Sequence, residues 1–211
     1  MSDKLQESLQ YLKQYSTIEN EAFKLYETLS RKINHPESSF ILGIACDSQK
    51  NVRIIQGILD CFEVPDLDKN PRKDLSELGD EIIELQKRIS KVNSLDYLVL
   101  CEVLKESIEL EVTLGKVYAN YLEANLARFI VDELSETGTI TLANFKKIIE
   151  YFVQEKGRHR EIIVEAMYIL DAKETENRRQ ITPSIKYQNP DGWIRESTIH
   201  TFTNPPENVQ Q

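Results

Sequence analysis

Apolar residues recur at three- and four-residue steps through most of this chain, and that period is helical. Leu5, Leu9, Leu12, Tyr15, Ile18, Ala22, Leu25, Tyr26, Leu29 and Ile33 make one such stripe and predict a helix over about residues 2–33. Asn34-His35-Pro36-Glu37 interrupts it. Proline disfavours helix in the residue before it and suits the start of a new one. A second stripe, through Phe40, Ile41, Ile44, Ala45, Ile54, Ile55, Ile58 and Leu59, predicts a helix from about Glu37 to Phe62. The loop between the two is short, so they should be antiparallel neighbours.

A polar connector, Val64-Pro65-Asp66 to Lys69-Asn70-Pro71, comes next. A shorter helix is then expected from about Asp74 to Val92, with Leu75, Leu78, Ile82, Ile83, Leu85 and Ile89 as its apolar stripe. Asn93-Ser94 offers a cap for a long helix that starts near Leu95. That helix passes through Leu98, Cys101, Leu104, Ile108, Glu111 and Tyr118, bends around residues 120–125 and ends before Glu136-Thr137-Gly138. Thr141 caps a last long helix, expected from about Leu142 to Thr175, with Ile148, Ile149, Phe152, Ile162, Ile163, Ala166, Met167 and Leu170 inward. Beyond it the character changes. Pro183, Pro190, Pro205, Pro206 and the lone Trp193 gather there, with a β-prone run from Trp193 to Phe202. The division expected is a helical domain over 1–176 and an irregular C-terminal arm over 177–211, packed on its own bundle or exchanged with a partner subunit.

Composition narrows the function classes. The 211 residues carry a net charge of −9, which leaves no basic excess to neutralise phosphates and argues against a nucleic-acid partner. No stretch approaches the roughly 18 apolar residues of a membrane span, so no membrane partner is expected. Met1-Ser2-Asp3-Lys4-Leu5-Gln6-Glu7 opens an amphipathic helix and not a secretory signal, which points to the cytoplasm. Cys46, Cys61 and Cys101 lack metal-ligand spacing and read as reduced core residues. Phosphate-binding glycine loops and nucleophile motifs are missing from the sequence.

Against that background two glutamates stand out. Glu19 precedes Tyr26 by seven residues, and Glu111 precedes Tyr118 by the same seven. Seven residues is about two helical turns, so acid and phenol share a face. An acid on an apolar face is costly unless it is paired or holds a metal. The partner helices repeat as well. Asp47-Ser48-Gln49-Lys50-Asn51-Val52-Arg53-Ile54-Ile55 aligns with Glu155-Lys156-Gly157-Arg158-His159-Arg160-Glu161-Ile162-Ile163. The chain thus reads as a duplicated helical hairpin whose halves are joined by a long link.

In these repeats the chain resembles the ferritin-like superfamily, its rubrerythrin and bacterioferritin-like branches in particular, over roughly residues 5–172. The resemblance implies an all-α, antiparallel four-helix bundle with a long crossover, here containing an extra helix. It also implies a dinuclear iron or manganese site, built from one glutamate on each of two helices and Glu-x-x-His on each of the others. Glu19 and Glu111 occupy the single-glutamate positions. The histidine positions hold Asn51 and His159, and the accompanying glutamate positions hold Ser48 and Lys156. Carried over in this way, the diiron site is degenerate. Two arrangements follow from it. Glu19, Glu111, Glu155 and His159 could hold a single Fe, Mn or Zn ion. Alternatively no metal cofactor remains, and the Lys156 ammonium neutralises Glu19 or Glu111. A plainer third reading makes them ordinary surface charges. The functional expectations are a non-catalytic structural or interaction protein, or a metal-binding protein with redox or metal-handling activity. Long amphipathic helices suggest a homodimer or higher homo-oligomer, and the arm suggests contact with a protein partner.

Overall fold

The computed structural model describes residues 3–62, 73–92, 95–123, 128–132, 142–181, 187–188 and 194–195. Five long helices dominate the described residues: α1 (Asp3–Lys32), α2 (Ser38–Leu59), α3 (Lys73–Ser90), α4 (Tyr97–Glu123) and α5 (Leu142–Ile181). Residues 128–132 are also helical. The chain divides into two compact units, 1–170 and 171–211. In the second, Tyr187–Gln188 pairs antiparallel with Ile194–Arg195. The class is all-α apart from this two-residue ladder. No helix among the described residues is long and apolar enough to cross a membrane.

The boundaries follow the chemistry. Between α1 and α2, His35 and Pro36 carbonyls accept from the Ser38 and Ser39 amides, a tight turn that starts α2 one residue after Glu37. α5 runs past the expected Thr175 to Ile181, because nothing in residues 176–181 breaks a helix before Pro183 approaches. The expected polar connector, the Asn93-Ser94 and Thr141 caps, the bend beyond Glu123, the Glu136-Thr137-Gly138 stop and most of the arm lie outside the described residues.

Each helix buries most of its predicted stripe. α1 packs along α2 and α3, and α3 also meets α4. Leu9, Leu12, Leu25 and Leu29 of α1 and Ile41, Ile44, Ala45 and Ile55 of α2 are fully enclosed, as is Ile82 of α3. Hydrogen bonds between helices give their directions. From Ser8 to Tyr26, α1 meets α4 at Tyr121, Val117, Tyr118 and then Glu111, so α1 and α4 run in opposite senses. From Asp47 to Asn51, α2 meets α5 at Arg158 and then Glu155, so these also oppose. One end of the core is aromatic. Tyr15 stacks 4.9 Å from Tyr118 and 5.7 Å from Tyr121, and Tyr118 lies 5.3 Å from Phe152. Their hydroxyls are bonded at Ser8, Val117 and Glu19, which is what burying phenols requires.

Several residues sit off the predicted faces. Phe40 and Leu98 are exposed, and so are Cys46 and Cys61, while Cys101 is half-buried. The three cysteines are unbonded but do not belong to the core. The reason is angular. Cys46 follows the enclosed Ala45 by one residue, about 100° around the helix, which turns its thiol outward. Leu98 likewise lies off the Leu100, Val103, Leu104 stripe.

This division of faces makes a stability test. Leu25→Ala should cost about 2–5 kcal/mol in urea unfolding, because it empties a closed core. Phe40→Ser should change stability by about 0.5 kcal/mol or less.

Candidate functional site

Burying a helix face with a glutamate in it forces that glutamate to find partners. α1 and α4 each carry one at mid-length, Glu19 and Glu111, and both are enclosed. Each is met by the tyrosine of the opposite helix. Tyr118 donates to Glu19 Oε1 at 2.6 Å, and Tyr26 donates to Glu111 Oε1 at 2.7 Å. The two Glu-x6-Tyr segments are thus interlocked, each phenol reaching the acid of the other repeat. Burial first, and then the neighbouring carboxylates, push both phenols well above their ordinary titration range, so they remain neutral donors.

α5 supplies the charge that the acids need. Lys156 is 1% exposed, and its Nζ lies 2.8 Å from Glu19 Oε1, 2.9 Å from Oε2 and 3.7 Å from Glu111 Oε2. One helical turn on, His159 Nδ1 lies 3.1 Å from Glu111 Oε2. Burial opposes ionisation of Glu111, but Lys156, His159 and Tyr26 outweigh it and hold the carboxyl below its usual range. Burial also works against the Lys156 ammonium, and Glu111 and Glu19 more than offset it. Close approach of α4 to α5 is part of this geometry: a Cβ at Gly115 would stand 3.5 Å from the Lys156 Cβ.

A second cluster lies toward the surface between α2 and α5. Lys50 bridges Asp47 Oδ1 at 2.8 Å and Glu155 Oε1 at 2.6 Å. Asn51 and Tyr151 also donate to Glu155, and Arg158 donates to Asp47 Oδ2 at 2.5 Å. Asp47, Glu155 and His159 bring ligand-type atoms within 4.8 Å of one another. Glu155 therefore faces this cluster, while Glu19 and Glu111 surround Lys156, and His159 stands between the two groups. Of the four residues expected to share one ion, the structure brings Glu19, Glu111 and His159 around an ammonium and turns Glu155 toward Asp47.

The contacts are reciprocal across the duplicated hairpins. Lys50 with Glu155 mirrors Arg158 with Asp47, and Asn51 with Glu155 mirrors His159 with Asp47. At the centre the mirror fails. Lys156 and His159 reach the central glutamates, whereas their counterparts Ser48 and Asn51 leave Ser48 Oγ and Asn51 Oδ1 buried without a hydrogen-bond partner. The donor set at the centre does not fit a dinuclear metal: Ser48, Asn51 and Lys156 stand at three positions where the resemblance would put ligands, and two divalent ions need more bridging carboxylate than Glu19 and Glu111 provide. Asp47 and Lys50 were visible in the sequence only as repeat partners of Glu155 and Arg158. Their role depends on helix rotation, which the stripe alone leaves loose by a residue.

Two outcomes follow for stability. Lys156→Met should cost about 3–5 kcal/mol, because Glu19 keeps only Tyr118 and becomes an uncompensated buried charge. Adding Glu19→Gln to it should recover most of that loss, read by urea unfolding. In acid, the depressed Glu111, Asp47 and Glu155 carboxyls contribute stability that is complete above their unfolded range and lost as pH falls through their folded values. Stability should therefore drop below about pH 4.5, and more gently in Glu111→Gln, in unfolding curves taken from pH 7 to 3. No protein-family model, curated protein or solved structure matches this chain.

Proposed function

We propose that this chain is a ferritin-like helical bundle whose centre is held by a tethered ammonium in place of a dinuclear metal, and that it acts as a non-catalytic structural or interaction protein. The observation that carries the reading is Lys156, enclosed and within 2.9 Å of both Glu19 oxygens. An ammonium there does electrostatically what a metal would do, but it offers no open coordination position and no redox chemistry. Further support comes from helix direction. α1 opposes α4 and α2 opposes α5, and the short α1–α2 turn makes that pair antiparallel. This is the sense of the superfamily's bundle, in which α3 belongs to the long crossover. A cytoplasmic homo-oligomer, with the C-terminal segment meeting a protein partner, belongs to the same proposal.

The decisive residue is Lys156. Lys156→Glu removes the tethered cation and creates Glu-x-x-His with His159. Elemental analysis after incubation with Fe(II) or Mn(II) should find about one more ion per chain in this variant than in the wild type. Wild-type protein should oxidise Fe(II) in air no faster than buffer does. Two ions per wild-type chain, or rapid Fe(II) oxidation by it, would sink the proposal.

A further inference from the structure

His159 has both ring nitrogens against carboxylates: Nδ1 is 3.1 Å from Glu111 Oε2 and Nε2 is 3.3 Å from Asp47 Oδ2. A carboxylate only accepts, and a neutral imidazole has one nitrogen without a proton. A ring protonated at both nitrogens donates to both acids, and a ring protonated at one presents the other nitrogen to a cation. Nδ1 has the shorter contact, to an enclosed carboxylate that Lys156 and Tyr26 also hold. A histidine whose one N–H is anchored on a carboxylate presents the other nitrogen as a metal donor. On the outer side, Nε2 and Asp47 Oδ2 are 3.3 Å apart. That is long for a charge-assisted N–H···O contact, which runs about 2.7–2.9 Å. It equals the separation of two ligands that each stand about 2.0–2.1 Å from one tetrahedral ion.

We propose that Asp47, Glu155 and His159 form a rim site for one borderline divalent cation of the Zn(II) class, distinct from the centre around Lys156, with the Lys50 ammonium as its displaceable occupant. The donors are two carboxylates and an imidazole, a set that suits Zn(II), Co(II), Mn(II) or Fe(II) better than calcium or magnesium. Lys50 marks the place, since its Nζ joins Asp47 Oδ1 to Glu155 Oε1. It is also the group best able to leave: its side chain is 39% exposed, whereas those of Glu155 and His159 are closed to solvent. When it swings out, Asp47 Oδ1 is freed and Glu155 Oε1 keeps the Tyr151 hydroxyl as its donor. Glu155 remains aimed by Tyr151 and by Asn51, and Asp47 by Arg158. Asn51 stands against Glu155. Its amide is fully enclosed, it is bonded to Glu155 through Nδ2, and its Oδ1 has no partner.

The test is titration of the full chain with Co(II), followed by visible absorption and by competition with Zn(II). One tetrahedral ion per chain is expected. Asp47→Asn and Glu155→Gln should each weaken binding by about 10–100-fold or more. Lys50→Met should tighten it by about tenfold, because a competing cation is gone. Unfolding cannot imitate that gain, so it guards against variants that merely lose structure. Glu19→Gln should leave the stoichiometry at one, which separates this site from the centre. The inference is overturned if wild-type protein takes up no ion, if binding survives both Asp47→Asn and Glu155→Gln, or if Lys50→Met weakens it. A bound ion lost in Glu19→Gln would instead place metal at the centre, and would count against this site and the proposed function alike.

Discussion

Everything at the middle of this protein depends on one ammonium group. Glu19 and Glu111 lie on helix faces that must be buried for α1 and α4 to pack, and neither face can close over an isolated carboxylate. Lys156 makes closure possible. Its Nζ contacts both acids, and its stem lies beside Gly115, where an added Cβ would stand in ordinary contact with it. The tyrosines complete the arrangement: Tyr26 donates to the Glu111 oxygen that the ammonium leaves over, and Tyr118 shares Glu19 Oε1 with it. Polar interiors of this kind cost more to leave half-satisfied than to omit, so the five groups stand or fall as a unit.

The unit also ties the chain's two halves together. Tyr26 belongs to the first hairpin and reaches Glu111 of the second, while Tyr118 of the second reaches Glu19 of the first. Outside the centre, Lys50 and Arg158 each cross to the other hairpin's acid. The first hairpin cannot satisfy Glu19 by itself, since Lys156 and Tyr118 both come from the second, whereas Glu111 is held by Lys156 and His159 of its own hairpin and by Tyr26 of the other. Polar pairing of this sort fixes register where apolar stripes alone would allow the helices to slide by a turn.

How much of this could be read from the sequence differs by level. The helices were legible because their stripes are long and their breakers are few, and the ends of α1, α2 and α3 fall within about three residues of expectation. Glu19, Glu111 and His159 were legible because the repeat doubles the signal. Lys156 was legible as an alternative to metal, since a lysine inside an apolar register has little else to do. Phe40, Leu98 and the cysteines were misjudged, as hydrophobic character says nothing about the 100° between neighbours on a helix. Glu155 was grouped with the central acids by its spacing from His159. In the structure it turns the other way, toward Lys50 and Asn51, and that turn is a matter of helix rotation that a four-residue spacing cannot distinguish.

The broken mirror at the centre bears on how such an arrangement tolerates substitution. A lysine at both Ser48 and Lys156 would bring two ammonium groups to the same pair of carboxylates, with no room for both stems. A serine at both would leave Glu19 with Tyr118 alone. Lys156 reaches both acids, while Ser48 Oγ and Asn51 Oδ1 are left without a hydrogen-bond partner. Each stranded atom costs about 1–3 kcal/mol if nothing meets it. An uncompensated buried charge costs about 3–5 kcal/mol. Two stranded oxygens together thus cost about as much as one uncompensated buried charge, so what Lys156 secures is Glu19, which would otherwise be held by Tyr118 alone.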